Sequence, residues 1–362
     1  MSGDWILHRG SEVREFCEKY FGQRDRNVAL IAGAGFDPRS GVIAEMLATI
    51  IPGDLSAIFL RELRPHPESG LQSIATDNAG ELARIITQSA TRSINVLSED
   101  NAVTAGREAV KAVREEFDGR NVTDVIIDLS ALSMGVSLPL LRYFHKLTTT
   151  EAPELNLHAM IAHSTELDAN ISRETSDKVT PIHGYDAEYK LRHDKGETLL
   201  WLPQLAPGLR ATFERMYEFL DPDEVCPILP FPTRNPRLGD DLLREYLPLI
   251  EDAWEVEPGD LVYASEESPL DLYRTLLKVS EERDQVHQKT GGSLVVVSPA
   301  GAKLPALGAA LAAIRSHVAL VYTERLDYEL EGQAERYGKD AEPEVIHLWV
   351  SGDPYDGGIR SA

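Results

Sequence analysis

Apolar and polar positions along this chain repeat in one order: a short apolar run, a polar loop, then a stretch with helical spacing. The first instance is Val28-Ala29-Leu30-Ile31, followed by a turn carrying Gly33 and Gly35 and an amphipathic segment from about Pro38 to Ile51. A continuous apolar run bounded by turn residues reads as a strand buried on both faces. Ahead of it, Val13, Phe16, Cys17, Tyr20 and Phe21 fall at helical spacing and predict a helix leading into that strand. Asp54–Leu60, Ser93–Leu97, Thr123–Leu129 and Leu155–Ile161 predict further strands, with helices near Asn78–Ser89, Ala102–Phe117 and Leu138–Leu147. The second half repeats this grammar. Val225–Leu229, Asp260–Tyr263, Ser293–Val297, Val318–Tyr322 and Val345–Val350 predict strands, and helices are expected over Gly239–Ile250, Leu270–Val279 and up to about Ile314.

Strands alternating with helices indicate an α/β fold of Rossmann-like type: largely parallel sheets with helices on both faces. The length favours two lobes. The reading divides the chain into a lobe over 1–169, a polar connection over 170–200 and a second lobe over 201–362. One extended sheet is the alternative, because periodicity alone does not separate the two.

Composition narrows the class. Hydrophobic residues at 43% provide for a core, while the longest apolar stretches are broken by Arg315 and His317. They fall short of the roughly 18–20 residues a membrane span needs. The N-terminal MSGDWILHRGSEV lacks a basic segment followed by an apolar one, so no signal peptide is expected. Cys17 and Cys226 have no metal-type spacing and read as reduced thiols, which places the protein in the cytoplasm. With 36 Lys+Arg against 59 Asp+Glu the net charge is −23, a field that disfavours nucleic-acid backbones and anionic membranes. A small anion in a local pocket, a protein partner or a homo-oligomer all stay compatible with it.

The candidate chemistry lies in the loops that follow strands. Gly33-x-Gly35 is half of a dinucleotide fingerprint, with Pro38 where the third small residue belongs. Asp37 reads either as part of a ligand loop or as the cap of the helix that Pro38 opens. As a cap it competes with phosphate for the free N–H groups. Arg39 reads as an anion contact or as the partner of Asp37. Glu62, with Arg64, ends the second strand, where a ribose-binding acid sits in a dinucleotide fold. Asp128 and Ser130 end the strongest strand, and Glu99 ends another. In the second half, Ser298, Gly301 and Lys303 form the best anion candidate, and Arg234 adds a cation to a loop of the same class. His158 and His163 bracket one strand without a further ligand at metal spacing, so no metal is expected.

These loops lead to a cytoplasmic protein that binds a nucleotide or nucleotide-derived small molecule between two lobes. It would act as a sensor or regulatory component, its cofactor unspecified. Gly33, Gly35, Asp37, Arg39, Ser130, Arg234, Ser298, Gly301 and Lys303 would form the ligand set. Two alternatives stand beside it. One is an enzyme acting on a nucleotide or NAD-like substrate through Glu62, Glu99 or Asp128. The other is a non-catalytic subunit of a protein assembly.

Overall fold

The computed structural model describes residues 5–51, 53, 55–65, 69–100, 102–117, 121–164, 167, 171–185, 197–289, 291–330 and 343–354. The chain divides into two compact units, Met1–Glu174 with Leu326–Ala362, and Thr175–Arg325. Both are α/β. No helix among the described residues is long and apolar enough to cross a membrane.

The first unit is built on a seven-stranded sheet. Its parallel strands are β2 (Val28–Gly33), β3 (Leu55–Leu63), β4 (Ser89–Asn95), β5 (Asp124–Asp128) and β6 (Asn156–His163). The spatial order is β6-β5-β2-β3-β4, so β2 is central and the chain builds outward from it in both directions. Strand β14 (Glu344–Ser351) runs antiparallel beside β6, and β1 (Ile6–Arg9) runs antiparallel beside β14. All six residues of β2 and all five of β5 are buried, as expected of strands covered on both faces. The crossover helices are α2 (Val42–Ile50), α3 (Ser69–Ile85), α4 (Ala105–Phe117) and α5 (Met134–Thr150), with α1 (Ser11–Tyr20) preceding β2. One core joins Val13, Cys17 and Phe21 around α1 to Leu30, Ile43, Leu47 and Phe59.

The second unit repeats the order. Strand β8 (Thr198–Pro203) is flanked by β12 (Ser293–Ser298) on one side and by β9 (Glu224–Val225) on the other, all parallel. Beyond β12 lie β13 (Val318–Leu330) and then β7 (Ile171–Pro181). A parallel bridge from Gln204 to Ile228 leads to β10 (Ile228–Pro230), which pairs with β11 (Val262–Ala264). Taken around β8, this is again the arrangement in which successive crossovers leave the central strand in opposite directions. The helices are α6 (Arg210–Leu220), α7 (Leu238–Pro248), α8 (Pro269–His287) and α9 (Lys303–Arg315). Trp201 and Trp254 meet edge to face at 5.3 Å, and Phe213 and Tyr246 at 5.7 Å, at the centre of this unit's core. Helix α9 is buried along most of its length and packs closely on α8: a Cβ on Gly308 would lie 2.3 Å from the Pro269 carbonyl oxygen.

Several features differ from the pattern-based expectation: strand β1, the central strand β8 and helix α6 are absent from it altogether. Helix α3 begins well before Asn78, because Leu71, Ala75, Leu82 and Ile86 form one buried stripe. Part of the polar connection over 170–200 is strand β7, an edge strand of polar sequence ISRETSDKVTP; residues 186–196 lie outside the described residues. Charged and polar residues suit a sheet edge, and they erase the apolar signature of a strand. Finally, Val345–Val350 lies in the first unit's sheet, although it closes the run of strands in the second half of the sequence. Strand pattern reports burial and is silent on which sheet supplies the partner.

Candidate functional site

In the first unit the loops after β2 and β5 leave the sheet toward opposite crossovers. The crevice at their carboxyl ends is where open α/β sheets place ligands. Gly33 closes β2 there, and a Cβ on it would lie 2.9 Å from the carbonyl carbon of Ala131 in the loop after β5. Gly35 has nothing within 4 Å of its Cβ position, so only the first glycine of the pair is required by packing. The Asn78 side-chain amide donates to the Gly35 carbonyl at 2.9 Å and holds the turn from α3.

Asp37 caps a short 3-10 helix, Pro38–Gly41. Its Oδ1 accepts from the Arg39 backbone N–H and from Arg39 Nε, each at 2.9 Å, and its Oδ2 accepts from Arg39 Nη2 at 2.7 Å. Arg39 is 3% exposed, so this forked pair sits out of water inside its own turn. Of the two readings for these residues, the structure displays the local pair.

Glu62 serves two partners. Its Oε2 lies 2.7 Å from Arg64 Nη2, and its Oε1 accepts the Ser133 backbone N–H at 2.8 Å, directly before α5. A carboxylate thereby meets the positive end of a 17-residue helix, the position a bound anion would otherwise take. The Arg64 guanidinium lies over the Tyr328 ring at 4.7 Å, and Phe36 packs on the same ring at 5.4 Å. Asp128 is fully buried, and its Oδ1 accepts the Ser130 N–H at 2.8 Å. Ser130 Oγ accepts the Ala162 N–H at 2.7 Å, tying the loop to the end of β6. Gly33, Gly35, Asp37, Arg39, Glu62, Asp128 and Ser130 therefore gather on the ends of three adjacent strands. Asp37 and Arg39 hold one loop through each other, and Glu62 and Asp128 hold theirs by accepting the backbone N–H groups of Ser133 and Ser130.

In the second unit the equivalent crevice lies between the loops after β8 and β12. Ser298 is buried, and its Oγ accepts the Trp201 indole N–H at 2.9 Å. Gln204 donates from Nε2 to the Ala300 carbonyl at 3.0 Å. Gly301 has φ +71°, a conformation that favours glycine, and its Cβ would lie 3.0 Å from the Ala206 Cβ. Lys303 opens α9. Arg234, after β10, pairs with Glu267, and its backbone N–H reaches Glu266 Oε2 at 3.4 Å, so this cation belongs to a contact between neighbouring loops.

A second cluster in the first unit contains His158, which lies inside β6 rather than bracketing a strand, and joins it to residues that no motif marked. Asp124 opens β5, with 0% side-chain exposure, and its Oδ1 lies 3.2 Å from His158 Nε2 on β6. His158 Nδ1 lies 3.0 Å from His347 Nε2 on β14, and His347 Nδ1 lies 3.0 Å from His8 Nδ1 on β1. Four strands thus carry one unbroken hydrogen-bonded chain. Phe16 of α1 stacks on His347 at 4.4 Å and on His8 at 4.6 Å. Asp124 also accepts from Tyr20 Oη at 3.0 Å and from Thr123 Oγ1 at 2.6 Å, and Arg26 lies 3.6 Å away. Burial lowers His158 further than Asp124 raises it, and burial with two neighbouring imidazoles puts His347 well below the ordinary histidine range. His8 is lowered by burial against the opposing pull of Glu12. Burial is the largest single influence on Asp124 and favours its neutral form. The hydrogen bond and charge of His158, with Thr123 and Arg26, nonetheless hold its carboxyl below the usual range. The one sequence signal was a histidine within each of three mainly apolar strands.

Among the described residues no group of three or more His, Cys, Asp or Glu is arranged to hold a metal ion. Both cysteines are free, and burial pushes the Cys17 thiol up to about 12 and Cys226 to about 11, which leaves neither a ready nucleophile. No protein-family model matches the chain, and no curated protein matches it.

Proposed function

We propose that this protein binds a nucleotide-derived small molecule in the crevice at the carboxyl ends of β2 and β5, as a sensor or regulatory component. The observation that carries the reading is the strand order of the first unit. It puts the Gly33 turn and the Asp128–Ser133 loop side by side at the switch point of a doubly wound sheet. The charge arrangement favours one part of such a ligand over another. Arg39 and Arg64 are each bound to a carboxylate, and Glu62 already meets the start of α5. A phosphate would have to displace a carboxylate at either place. A ribose or a base carries no negative charge and would displace neither carboxylate, so the nucleoside portion suits the crevice better than a phosphate.

The test is thermal unfolding against a panel of nucleosides, mononucleotides, dinucleotides and cyclic or oligomeric derivatives. A ligand at about 100 times its Kd adds about 2.7 kcal/mol to stability. For a chain of this size that raises the midpoint by roughly 5 °C. The shift should be lost in Gly33→Val, whose own midpoint serves as the reference. A flat response across the whole panel overturns the proposal.

A further inference from the structure

The histidine chain of the first unit is independent of that crevice. Asp124 opens β5 at the amino ends of the parallel strands, whereas the crevice loops follow their carboxyl ends. Its geometry constrains where protons sit. With Asp124 ionised, its contact with His158 Nε2 requires a proton on that nitrogen. A neutral His158 then has Nδ1 as an acceptor and takes a hydrogen bond from His347 Nε2–H. His347 Nδ1 is in turn an acceptor for His8 Nδ1–H. A single set of tautomers satisfies all three contacts with neutral rings, and it leaves His8 Nε2 as the free basic atom at the half-buried end.

The reverse set satisfies the same contacts. A proton added at His8 Nε2 lets His8 pass its Nδ1 proton to His347 Nδ1. His347 passes its Nε2 proton to His158 Nδ1. His158 then carries protons on both nitrogens, while His347 and His8 are again neutral with their tautomers inverted. Every hydrogen bond between rings survives with its direction reversed, no ring rotates, and one proton has entered. The charge ends beside a carboxylate instead of at the rim of the sheet.

We propose that His8, His347 and His158 form a proton relay that takes up one proton at His8 and holds it as a His158 imidazolium beside the Asp124 carboxylate. The surrounding groups suit that role. From α1, Glu12 faces His8 and Tyr20 donates to Asp124; Arg9 on β1 and Glu344 on β14 pair with each other at 2.8 Å next to the entry end. At the far end Arg26 and Asp353 flank Asp124, 3.5 Å from one another. Arg26 opposes a second positive charge on His158, while Asp124 and Asp353 favour it. Because His8 and His158 each disfavour a charge on His347, the chain holds one proton rather than three. Burial of the rings sets uptake below the ordinary histidine range, so the relay responds to acidification.

The experiment is a titration of the full chain, labelled with 15N in its histidine rings, followed by the long-range ring correlations that separate the two tautomers. Near neutral pH the expected pattern is Nδ1–H for His8 and Nε2–H for both His347 and His158. On acidification, His8 and His347 should invert within the same transition in which His158 gains its second proton. In His8→Phe, which keeps an aromatic ring against Phe16, that transition should disappear while His158 and His347 stay neutral. Titration of His8 alone, with the other two tautomers unchanged until the protein unfolds, overturns the relay. So does a His158 transition that persists unaltered in His8→Phe. The wild-type titration decides the matter even where the variant fails to fold.

Discussion

A Cβ on Gly33 would lie 2.9 Å from the carbonyl carbon of Ala131 and 3.0 Å from its oxygen, so the loop after β5 rests directly on the backbone at the end of β2. Backbone cannot swing aside as a flexible side chain can. Gly33→Ala should therefore destabilise by about 1–3 kcal/mol through overpacking. Gly35→Ala, with open space at its Cβ, should stay within about 0.5 kcal/mol of wild type. Urea midpoints of the two variants check the contrast, and equal effects would contradict it.

Glu62 joins β3 to α5 through the Ser133 N–H and to Arg64 through its second oxygen. Glu62→Ala should cost about 3 kcal/mol, because it removes the carboxylate paired with a largely buried guanidinium and the acceptor at the start of the helix at once. Glu62→Gln keeps an acceptor for Ser133 and should cost clearly less. Similar losses in the two variants would mean that the charge, not the cap, carries the effect.

The Asp37–Arg39 fork calls for a double-mutant cycle. Asp37→Asn removes the carboxylate charge that the buried Arg39 forks onto, and Arg39→Met removes the cation that Asp37 accepts from. Each single change should cost about 3 kcal/mol, and the double variant should lose less than their sum by about 1–3 kcal/mol. Strict additivity would show that the pair is not coupled.

Ser298 supplies the acceptor for the Trp201 indole at the centre of the second unit. Ser298→Ala should cost about 1–3 kcal/mol by leaving a buried donor unmet. It should leave the thermal response to nucleotides unchanged, since the proposed crevice is in the other unit. A loss of that response would move the ligand site to the Ser298–Lys303 loop.

Stability should depend on pH through the histidines. His8, His158 and His347 are all lowered in the fold from an ordinary value of 6.5. Below that value the unfolded chain binds protons the folded chain resists, so the unfolded state holds more protons and stability falls as pH falls. The contribution is intact above 6.5 and declines through the window between 6.5 and the lowered folded values. Asp124, also lowered, adds a loss only under more acid conditions, from its ordinary 3.8 downward. Urea midpoints measured at successive pH values below 6.5 should drop. A flat profile there would sink the burial argument for all three rings.

Much of the first unit was legible because its central strands carry their own signature, whereas β8, central in the second unit, was not read from its sequence. Val28–Ile31 and Val125–Ile127 are apolar on both faces, and burial on both faces is what a central parallel strand requires. The placement of Gly33, Asp37, Glu62 and Asp128 at strand ends was legible too, since each follows such a run, but which of those ends share a crevice was not. Their roles were not. That Asp37 turns back on Arg39, and that Glu62 is spent on Ser133 and Arg64, depends on side-chain geometry that spacing does not carry. The histidine chain left the weakest trace. His8, His158 and His347 are separated by most of the chain and meet only because β1, β14 and β6 are neighbours.

By itself, then, the order of residues determined the class of the fold, the central strands of the first unit and the loops that end them, while β8 of the second unit went unmarked. Those follow from local periodicity and from the need to bury apolar side chains. The tertiary structure decided which strands share a sheet, and so returned Val345–Val350 to the first unit and set Asp124 beside His158. It also decided which charges are already neutralised. Pairing between strands rests on backbone hydrogen bonds, which every residue but proline can make alike. Neutralisation depends on distances of a few ångströms between groups far apart in the chain.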